Sequence, residues 1–377
     1  MNDVLNFIQD KMIAGKSKAA VFTQVGKPLE IRDFDLPDKI EKGAALCRIT
    51  MSTICGSDLH TINGRRDEPL PLILGHEIIG TIAALGEGLE YDGFGGKLAV
   101  GDRVTWTIMA SCGICFYCRN GLPQKCEKLI KYGHTCSAQS PHLTGGYAEY
   151  IYLFPGTVIF KIPENISDEI ATPANCALST SINAIETIGL QKGETVLVQG
   201  AGLLGLNLVA LAVEAGAGKV LITDMVQSRL DLAKRFGADV CLNLSHLSPD
   251  EVVSQVLSHT GGYGVDVAIE VSGVGNVVSQ AIQALRIGGR YLIAGLVTPG
   301  SCLDIDGNQI TRKYLTIKGI HNYHPRHLGM ALEFLEKNSG KYPFDELVGK
   351  IFPLSQINEA VDEASASEYI RVGVRPV

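Results

Sequence analysis

Residues 195–216, TVLVQGAGLLGLNLVALAVEAG, decide how the second half of the chain is interpreted. A short β-type run leads directly into a glycine-rich turn and then into an apolar helical run. Strand, glycine turn and helix in this order are typical of a βαβ unit in a parallel sheet. The stretch also contains Gln199, Asn207 and Glu214, which a membrane-spanning helix of about 20 apolar residues would avoid. We therefore predict a buried strand and a buried helix here.

The turn inside this stretch has the pattern G-x-G-x-x-G. In such a loop the first glycine permits a tight turn, the second lets the backbone approach a pyrophosphate, and the third lets helix and strand pack closely. The helix that follows offers free N–H groups and its positive dipole end to the phosphate. The expected cofactor-contacting residues of the loop are Gly200, Gly202, Leu203, Leu204 and Gly205.

The next β-type run, KVLIT, ends at Asp224. A carboxylate at this place accepts hydrogen bonds from an adenosine ribose and repels a 2′-phosphate, which favours NAD over NADP. Arg229 follows on the next helix and fits either a contact with the ribose or phosphate or an ordinary solvated charge. A methyltransferase that binds S-adenosylmethionine can also use a glycine-rich first turn. The strand, the helix and the acid together favour a nicotinamide cofactor.

The two halves of the chain differ in their patterning. Up to about residue 190 the sequence consists of short β-type runs punctuated by glycine and proline, which predicts a mainly antiparallel β domain. From about 191 to 319 β-type and helical runs alternate, which predicts a parallel sheet covered by helices on both faces. We therefore predict an α/β protein that combines a mainly β domain with a doubly wound parallel sheet.

Composition excludes several classes of protein. The chain has 377 residues, of which 46% are hydrophobic, and a net charge of −7 from 33 basic and 40 acidic residues. It can bury large cores, and it lacks the basic footprint of a nucleic-acid binder. Residues 1–17 contain no signal peptide; Val4, Leu5, Ile8 and Met12 give this extension an amphipathic start, as in a surface arm or helix. We expect a cytoplasmic protein with no membrane partner and no nucleic-acid partner.

Ten cysteines in a reducing compartment point toward metal binding. Four of them form a C-x2-C-x2-C-x7-C arrangement: Cys112, Cys115, Cys118 and Cys126. Four thiolates at this spacing can close a tetrahedral zinc site that has no place for water and is therefore structural. Thiolates also hold iron–sulfur clusters, but the spacing does not match the ferredoxin patterns, so zinc is favoured.

Three further segments contain metal-ligand or proton-transfer chemistry: Cys55-Gly-Ser-Asp-Leu-His60, Gly75-His76-Glu77 and Asn175-Cys176-Ala-Leu-Ser-Thr180. With these segments, the four-cysteine group and the glycine turn, the sequence resembles the zinc-dependent alcohol dehydrogenases of the medium-chain dehydrogenase/reductase superfamily. The resemblance runs from about residue 17 to the end of the chain.

The resemblance implies both the domain plan and the metals. It implies a GroES-like catalytic domain with a structural zinc lobe over 1–176, a Rossmann NAD-binding domain over 177–319, and a return to the catalytic domain over 320–377. It implies a catalytic zinc held by Cys55, His76 and Cys176, with water or substrate in the fourth position. The expected cofactors are thus two zinc ions per chain and NAD.

The resemblance also implies roles for residues around this zinc. Ser57 takes the proton of the alcohol and passes it through the cofactor ribose to His60. Asp58 orients the ligand histidine, Glu77 lies close to the metal, and Thr180 contacts the nicotinamide. The implied reaction is hydride transfer between a primary or secondary alcohol and NAD.

The substrate is less constrained by sequence. GRRDEPLPLILGHE, KYGH, PANCA and GIHNY resemble the alcohol dehydrogenases associated with phosphonate catabolism, which implies a small phosphonate-bearing alcohol or aldehyde. Arginines can clamp such an anion, and the candidate substrate residues are Arg65, Arg66, Asn322, Tyr323, His324 and Arg326. The same residues also fit a solvated loop and an ordinary helix start.

The motifs also bear on several alternative functions. Within the superfamily the alternatives are a polyol, threonine or other neutral-alcohol dehydrogenase. A zinc-free reductase or a non-catalytic protein of the same fold would lack the ligand residues that are present here. Members of the family commonly form homodimers or homotetramers, with edge strands around residues 300–305 pairing between subunits, and we expect the same here.

Overall fold

The computed structural model describes residues 15–303, 305–366 and 368–376. The strands are β1 (Lys16–Phe22), β2 (Glu30–Asp35), β3 (Ala45–Ile54), β4 (Leu72–Ile73), β5 (Glu77–Leu85), β6 (Arg103–Ala110), β7 (Ile130–Lys131), β8 (Tyr150–Leu153), β9 (Thr157–Lys161), β10 (Thr195–Gln199), β11 (Lys219–Asp224), β12 (Val240–Asn243), β13 (Val265–Glu270), β14 (Leu285–Ile293), β15 (Thr316–Gly319), β16 (Val348–Pro353) and β17 (Arg371–Arg375). The α-helices are α1 (Gly56–Ile62), α2 (Phe116–Arg119), α3 (Asp168–Ala171), α4 (Ala177–Ile188), α5 (Leu203–Glu214), α6 (Gln227–Arg235), α7 (Pro249–His259), α8 (Val277–Ala284), α9 (Gly307–Arg312), α10 (Arg326–Asn338) and α11 (Ile357–Ser365).

The described chain divides into two compact units. The first contains the residues up to 172 and those from 348 onward, and the second contains residues 173–347. Of the helices in the described ranges, none combines the length and apolarity needed to span a bilayer. The amphipathic positions Val4, Leu5, Ile8 and Met12 lie outside the described residues, whereas positions 16 and 17 of the predicted extension already belong to β1.

The first unit is built on a curled, mainly antiparallel sheet. Its strands run in the order β16-β17-β3-β5-β6-β7, with β8 also paired to β3 and β9 to β6, and a smaller sheet has the order β2-β1-β4. Trp106 and Tyr132 are fully buried in its core. Strand β3 is largely buried on both faces, and Arg48 is its only exposed residue. The predicted antiparallel β domain is confirmed.

The register of three strands brings the ends of distant segments together. Thr53 of β3 lies opposite Glu77 of β5, and Ile54 lies opposite Val372 of β17. Because antiparallel neighbours run in opposite directions, the residues just after β3 and just before β5 meet at one edge of the sheet. Cys55 and His76 occupy these two positions.

The second unit contains the predicted doubly wound sheet. Six parallel strands follow the order β12-β11-β10-β13-β14-β15, which is the strand order of a dinucleotide-binding fold. The strands are near-continuous apolar runs because helices cover both faces of a parallel sheet. The α/β fold class is confirmed.

The contacts divide the chain at other positions than the sequence predicts. The first boundary falls after 172 instead of 176, and the return to the first unit begins at 348 instead of 320. Helix α10 explains the later return: it packs against α4 of the second unit and buries Leu328, Leu332 and Leu335. A cluster of aromatic rings, in which Phe236 stacks on Tyr342 and meets Phe344 edge-on, then holds the segment after α10 in the same unit.

The described part of the segment 300–305 differs from the expected edge strand. The described residues of that segment form no strand, and the sheet ends instead at β15. Pro299 and Gly300 begin this irregular segment, and a proline cannot donate a hydrogen bond to a sheet ladder.

Helix α10 provides a test of this packing. Replacing fully buried Leu332 with alanine removes apolar contacts and leaves a cavity, so we expect the free energy of unfolding to fall by about 2–5 kcal/mol. Met330 on the same helix is 41% exposed, and Met330→Ala is the matched control with little expected change. Equal effects of the two substitutions in denaturant titrations would contradict the packing of α10.

Candidate active site

A buried carboxylate organises the first candidate metal site. Asp58 lies in the first turn of α1 and is fully buried. Its Oδ2 accepts hydrogen bonds from the Cys55 N–H at 2.9 Å and the Tyr147 O–H at 3.1 Å. Its Oδ1 accepts from the Gly75 N–H at 3.3 Å and lies 3.2 Å from His76 Nδ1. One side chain therefore ties the segment before α1 to the segment before β5.

The Asp58–His76 pair fixes the orientation of the imidazole ring. With Nδ1 hydrogen-bonded to the carboxylate, Nε2 is the nitrogen that would bind a metal in place of a proton. Burial lowers the pKa of His76, but the Asp58 carboxylate overrides this and raises it to about 10. Burial likewise raises the pKa of Asp58, but the nearby His76 brings it below its ordinary value.

The ligand atoms of this site lie close together. One such atom from each of Cys55, His76 and Glu77 lies within 4.8 Å of the others. Thiolate, imidazole and carboxylate are the donor types that zinc accepts in proteins, so the residues fit the expected metal. Ser57 Oγ lies 3.4 Å from His76 Nε2, on the side of the ring that faces away from Asp58.

An arginine that sequence analysis missed completes this site. Arg371 of β17 donates from Nε to Glu77 Oε2 at 2.8 Å and from Nη2 to Glu77 Oε1 at 2.9 Å. The same Nη2 lies 3.5 Å from Cys55 Sγ. Thr53 donates to Glu77 Oε2 at 2.5 Å. Burial raises the pKa of the Glu77 carboxyl, and Arg371 opposes that shift. In the sequence, only the expected return of residues 320–377 to the catalytic domain indicated that Arg371 could lie at this site.

His60 lies on the last turn of α1. Its Nδ1 is buried and has no hydrogen-bond partner among the described residues. Burial lowers its pKa, and the charges of Arg65 and Arg66 lower it further, so the ring is neutral near pH 7. A neutral ring is able to accept a proton.

The two arginines after α1 differ from each other. Arg65 is exposed, as an anion clamp would require. The charge of Arg66 is already paired within the protein, because its Nη2 lies 3.1 Å from Glu68 Oε1. The same Glu68 oxygen lies 2.8 Å from Nδ1 of His134, a residue that sequence analysis did not select.

The four predicted lobe cysteines are brought together. One sulfur atom from each of Cys112, Cys115, Cys118 and Cys126 lies within 4.8 Å of the others. The N–H groups of Cys112 and Lys128 donate to the Cys126 sulfur at 3.2 and 3.3 Å. Backbone hydrogen bonds lower the pKa of Cys115 to about 6, which favours a thiolate. Four convergent sulfurs with N–H donors fit a structural zinc.

The glycine turn of the second unit has the geometry expected of a dinucleotide loop. Gly200 has a φ of +108°, which favours glycine, and Gly202 is the N-cap of α5. A Cβ on Gly205 would lie 1.8 Å from the Gly200 carbonyl oxygen, so only glycine fits there. Leu203 and Leu204 open α5 and so lie at its N-terminus.

Asp224 ends β11 beside this turn. Its Oδ2 accepts from the Ala201 N–H at 2.7 Å, and its Oδ1 accepts from the Val226 N–H at 2.9 Å. Arg229 lies in the first turn of α6, the helix that follows β11.

Cys176 and Thr180 belong to the second unit. Cys176 is the N-cap of α4, and Thr180 donates to its carbonyl at 2.7 Å. The hydroxyl of fully buried Tyr323 donates to the carbonyl of Asn175, one residue before Cys176. Tyr323, predicted as a substrate residue, therefore holds the turn that carries Cys176.

The other predicted substrate residues of this unit are also engaged. The Asn322 carbonyl accepts from Asn183 Nδ2 at 2.8 Å. Arg326 lies 2.5 Å from Glu186 Oε1, so its charge is already paired. The His324 ring accepts from the Arg326 N–H at 3.3 Å, so this amide at the start of α10 is already bonded within the chain.

The sulfur cluster can be tested directly. We expect Cys115→Ser to remove one of about two zinc ions per chain and to lower the melting temperature, because three thiolates no longer close a tetrahedral site. Zinc content by mass spectrometry and thermal unfolding are the measurements. Cys302→Ser, at an exposed thiol, is the control and should change neither. Two zinc ions in the Cys115 variant would contradict the assignment.

Comparison with known proteins identifies the family. Residues 41–164 match the model of the alcohol dehydrogenase GroES-like domain, and residues 204–337 match that of zinc-binding dehydrogenases. The chain is 30% identical over 331 residues to a 5-exo-hydroxycamphor dehydrogenase of Pseudomonas putida, covering 87% of this chain and 91% of that protein. It is 35% identical over 288 residues to an L-threonine 3-dehydrogenase of Francisella tularensis subsp. mediasiatica, covering 73% and 76%.

A solved structure agrees with these relatives. The alcohol dehydrogenase of Thermotoga maritima superimposes with a TM-score of 0.90 at 30% identity, over 96% of this chain and 100% of that one. The match to the first relative covers most of the chain. One family model matches part of the first unit and the other matches part of the second. The chain therefore belongs to the zinc-dependent alcohol dehydrogenases of the medium-chain dehydrogenase/reductase superfamily.

Proposed function

We propose that this protein transfers hydride between a small primary or secondary alcohol and NAD, in a reaction that depends on zinc. The observation that carries the proposal is the buried Asp58–His76 pair, which orients an imidazole whose ligand atom lies within 4.8 Å of the Cys55 sulfur. A histidine held in this way is typical of a zinc ligand.

The proposed catalytic zinc ligands are Cys55, His76 and Cys176. Three protein ligands leave one position for the substrate oxygen, as in other catalytic zinc sites. Zinc, when bound, acts as a Lewis acid that lowers the pKa of the alcohol hydroxyl. Arg371 places a positive charge beside Cys55 and Glu77 and so offsets their negative charges. The four lobe cysteines hold the second, structural zinc of the proposed two per chain.

Ser57 and His60 are the proposed route for the proton. Ser57 Oγ accepts the proton of the substrate hydroxyl as it passes its own hydroxyl proton on toward His60, and its place near His76 Nε2 supports this role. His60 Nδ1 has no partner among the described residues and can hold the proton on its way out. The low pKa of His60 keeps this nitrogen free to accept.

The second unit supplies the proposed NAD site. Gly200, Gly202 and Gly205 shape the turn for the pyrophosphate, and Asp224 accepts hydrogen bonds from the adenosine ribose. Thr180 is the proposed contact to the nicotinamide, and NAD, when bound, accepts the hydride. The negative charge of Asp224 supports a preference for NAD over NADP.

The pairing of the candidate substrate arginines bears on which class of alcohol the protein accepts. Arg66 and Arg326 are paired with glutamates, so of the three arginines proposed to clamp an anion only Arg65 is exposed without such a pairing. This favours a neutral or amino-bearing alcohol over a phosphonate. The hydroxycamphor and threonine dehydrogenases among the relatives are consistent with that reading. We also propose a homodimer or homotetramer, with β15 as the open edge of the sheet.

The function is tested through Ser57. We expect the wild-type protein, loaded with zinc, to reduce NAD in the presence of simple alcohols, followed by the absorbance of NADH. Ser57→Ala should lower kcat by about 100-fold to 10,000-fold, because the positioned proton transfer through the hydroxyl is lost. Ser57→Thr keeps the hydroxyl and is the matched control. Unchanged kcat in Ser57→Ala would refute the proposed proton route, and no turnover of any alcohol would refute the function.

The anionic substrate is tested through Arg65. If Arg65 clamps a phosphonate, Arg65→Gln should raise KM for 2-hydroxyethylphosphonate far more than for propan-1-ol. We expect instead similar KM changes for both substrates, because a single exposed arginine forms a weak clamp. Arg119→Gln, at an exposed arginine of the cysteine lobe, is the control. A large rise for the phosphonate alone would restore the anionic substrate.

A further inference from the structure

A buried carboxylate that the proposed reaction does not use ends the strand next to the glycine turn. Glu270 is the last residue of β13 and is fully buried. In the sheet it lies beside Gln199, the last residue of β10, and Ile293, the last residue of β14. The strand order reverses between β10 and β13, and open α/β sheets bind their ligands outside the carboxyl ends of the strands at such a point. Glu270 therefore lies at the expected coenzyme crevice of the second unit.

The side chain of Glu270 joins the two loops that follow β13 and β14. Its Oε1 accepts hydrogen bonds from the Ser272 O–H at 3.0 Å and the Gly273 N–H at 2.6 Å, both in the loop after β13. Its Oε2 accepts from the Gly295 N–H at 3.0 Å, in the loop after β14. A carboxylate can take all of these donors because both of its oxygens are acceptors. The three donors are uncharged, so Glu270 acts here as a shared acceptor between two loops and not as half of an ion pair.

The two loops also pack directly against each other. A Cβ on Gly295 would lie 2.7 Å from Glu270 Oε1 and 2.7 Å from the Gly273 nitrogen. A Cβ on Gly275 would lie 2.4 Å from the carbonyl oxygen of Cys302. Only glycine lets the backbones approach so closely. Because the loops touch at two places and share one carboxylate, a change at Glu270 alters the position of both.

The loop after β13 borders the turn that is expected to bind the pyrophosphate. A Cβ on Gly200 would lie 2.9 Å from Ser272 Cα, so the turn and the loop are in contact. The Val271 N–H donates to the Gln199 carbonyl at 3.0 Å, directly before the turn. Asp224, the proposed ribose contact, lies on the other side of β10, at the end of β11. A dinucleotide with its adenosine half at β11 therefore extends its nicotinamide half toward the loops after β13 and β14.

We propose that Glu270 is a positioning residue for NAD, which holds the loops after β13 and β14 in the arrangement that receives the nicotinamide half of the coenzyme. Because its side chain is fully buried, Glu270 acts through these loops and does not touch the coenzyme itself. Loops that are fixed before binding need not be ordered by the ligand, which increases affinity. This inference rests on the proposed NAD-dependent function and adds a residue to its coenzyme site.

The test compares two ligands that share the adenosine half and the pyrophosphate. NADH carries the nicotinamide, and ADP-ribose lacks it. Glu270→Gln keeps the size of the side chain but replaces one acceptor oxygen with an NH2 group, which cannot accept from the loop amides. We expect the Kd of NADH for the zinc-loaded protein to rise about 10-fold and that of ADP-ribose to rise less than about 2-fold, both measured by isothermal titration calorimetry.

Two further variants complete the test. Glu194→Gln is the matched control, because this largely buried carboxylate of the same unit lies at the opposite end of β10, and it should leave the ratio of the two Kd values unchanged. Ser272→Ala is a milder change that replaces Glu270→Gln if that variant does not fold. The Ser272 hydroxyl is used within the loop, since it donates to Glu270 and accepts from the Val274 N–H at 3.2 Å. We expect Ser272→Ala to raise the Kd of NADH about 3-fold and to leave that of ADP-ribose unchanged.

The outcomes separate this inference from the proposed function. If NADH and ADP-ribose bind equally more weakly to Glu270→Gln, the carboxylate supports the pyrophosphate turn or the fold as a whole, and the inference is overturned. An unchanged Kd of NADH also overturns it, in Glu270→Gln or, where that variant does not fold, in Ser272→Ala. Binding of NADH to the wild-type protein supports the proposed function in each of these cases. A wild-type protein that binds neither ligand overturns the function, and the inference with it.

Discussion

The contact between Asp58 and His76 is the constraint on which the first site depends. A carboxylate with no exposure to water is stable only if its oxygens are hydrogen-bonded, and Asp58 has a protein donor or imidazole at each oxygen. Those donors come from the end of β3, the start of β5 and Tyr147. The strand register, the orientation of the imidazole and the position of Cys55 are thereby fixed by one buried charge.

A second buried charge links the tail of the chain to the same place. Arg371 lies on β17 and forms a bidentate ion pair with Glu77. Buried ion pairs are costly unless both partners are fully satisfied, and here Thr53 supplies a further hydrogen bond to the carboxylate. The return of the chain to the first unit after residue 348 therefore contributes to the site as well as to packing. It places the Arg371 guanidinium beside a group of anionic ligands.

The sequence predicted the fold class and the local motifs well, because these depend on short-range patterns. The glycine turn, Asp224 and the four clustered cysteines all lie within about 30 residues of one another in their respective segments, and their spacing reflects their geometry. Arg371, Thr53 and Glu68 could not be found in this way. Their roles arise from contacts between residues up to 294 positions apart, which only the folded sheet brings together.

The end of the second unit and the pairing of the candidate arginines could not be predicted from sequence for a related reason. The pattern of α10 shows an amphipathic helix but not which unit its apolar face covers. The sequence likewise does not show whether an arginine is free to bind an anion or is already paired with a carboxylate of the same chain. Arg66 and Arg326 are held by Glu68 and Glu186, and the second of these pairs spans 140 positions.

Asp224 illustrates how one side chain can serve two purposes. Both of its oxygens already accept N–H groups that shape the chain around the glycine turn, one from Ala201 and one from Val226. The carboxylate that would discriminate between NAD and NADP therefore also stabilises the backbone of the proposed coenzyme loop. Redesign of coenzyme choice at this position therefore carries a stability penalty that has nothing to do with the coenzyme. Replacement residues need to be judged first by whether they can keep those two amides bonded.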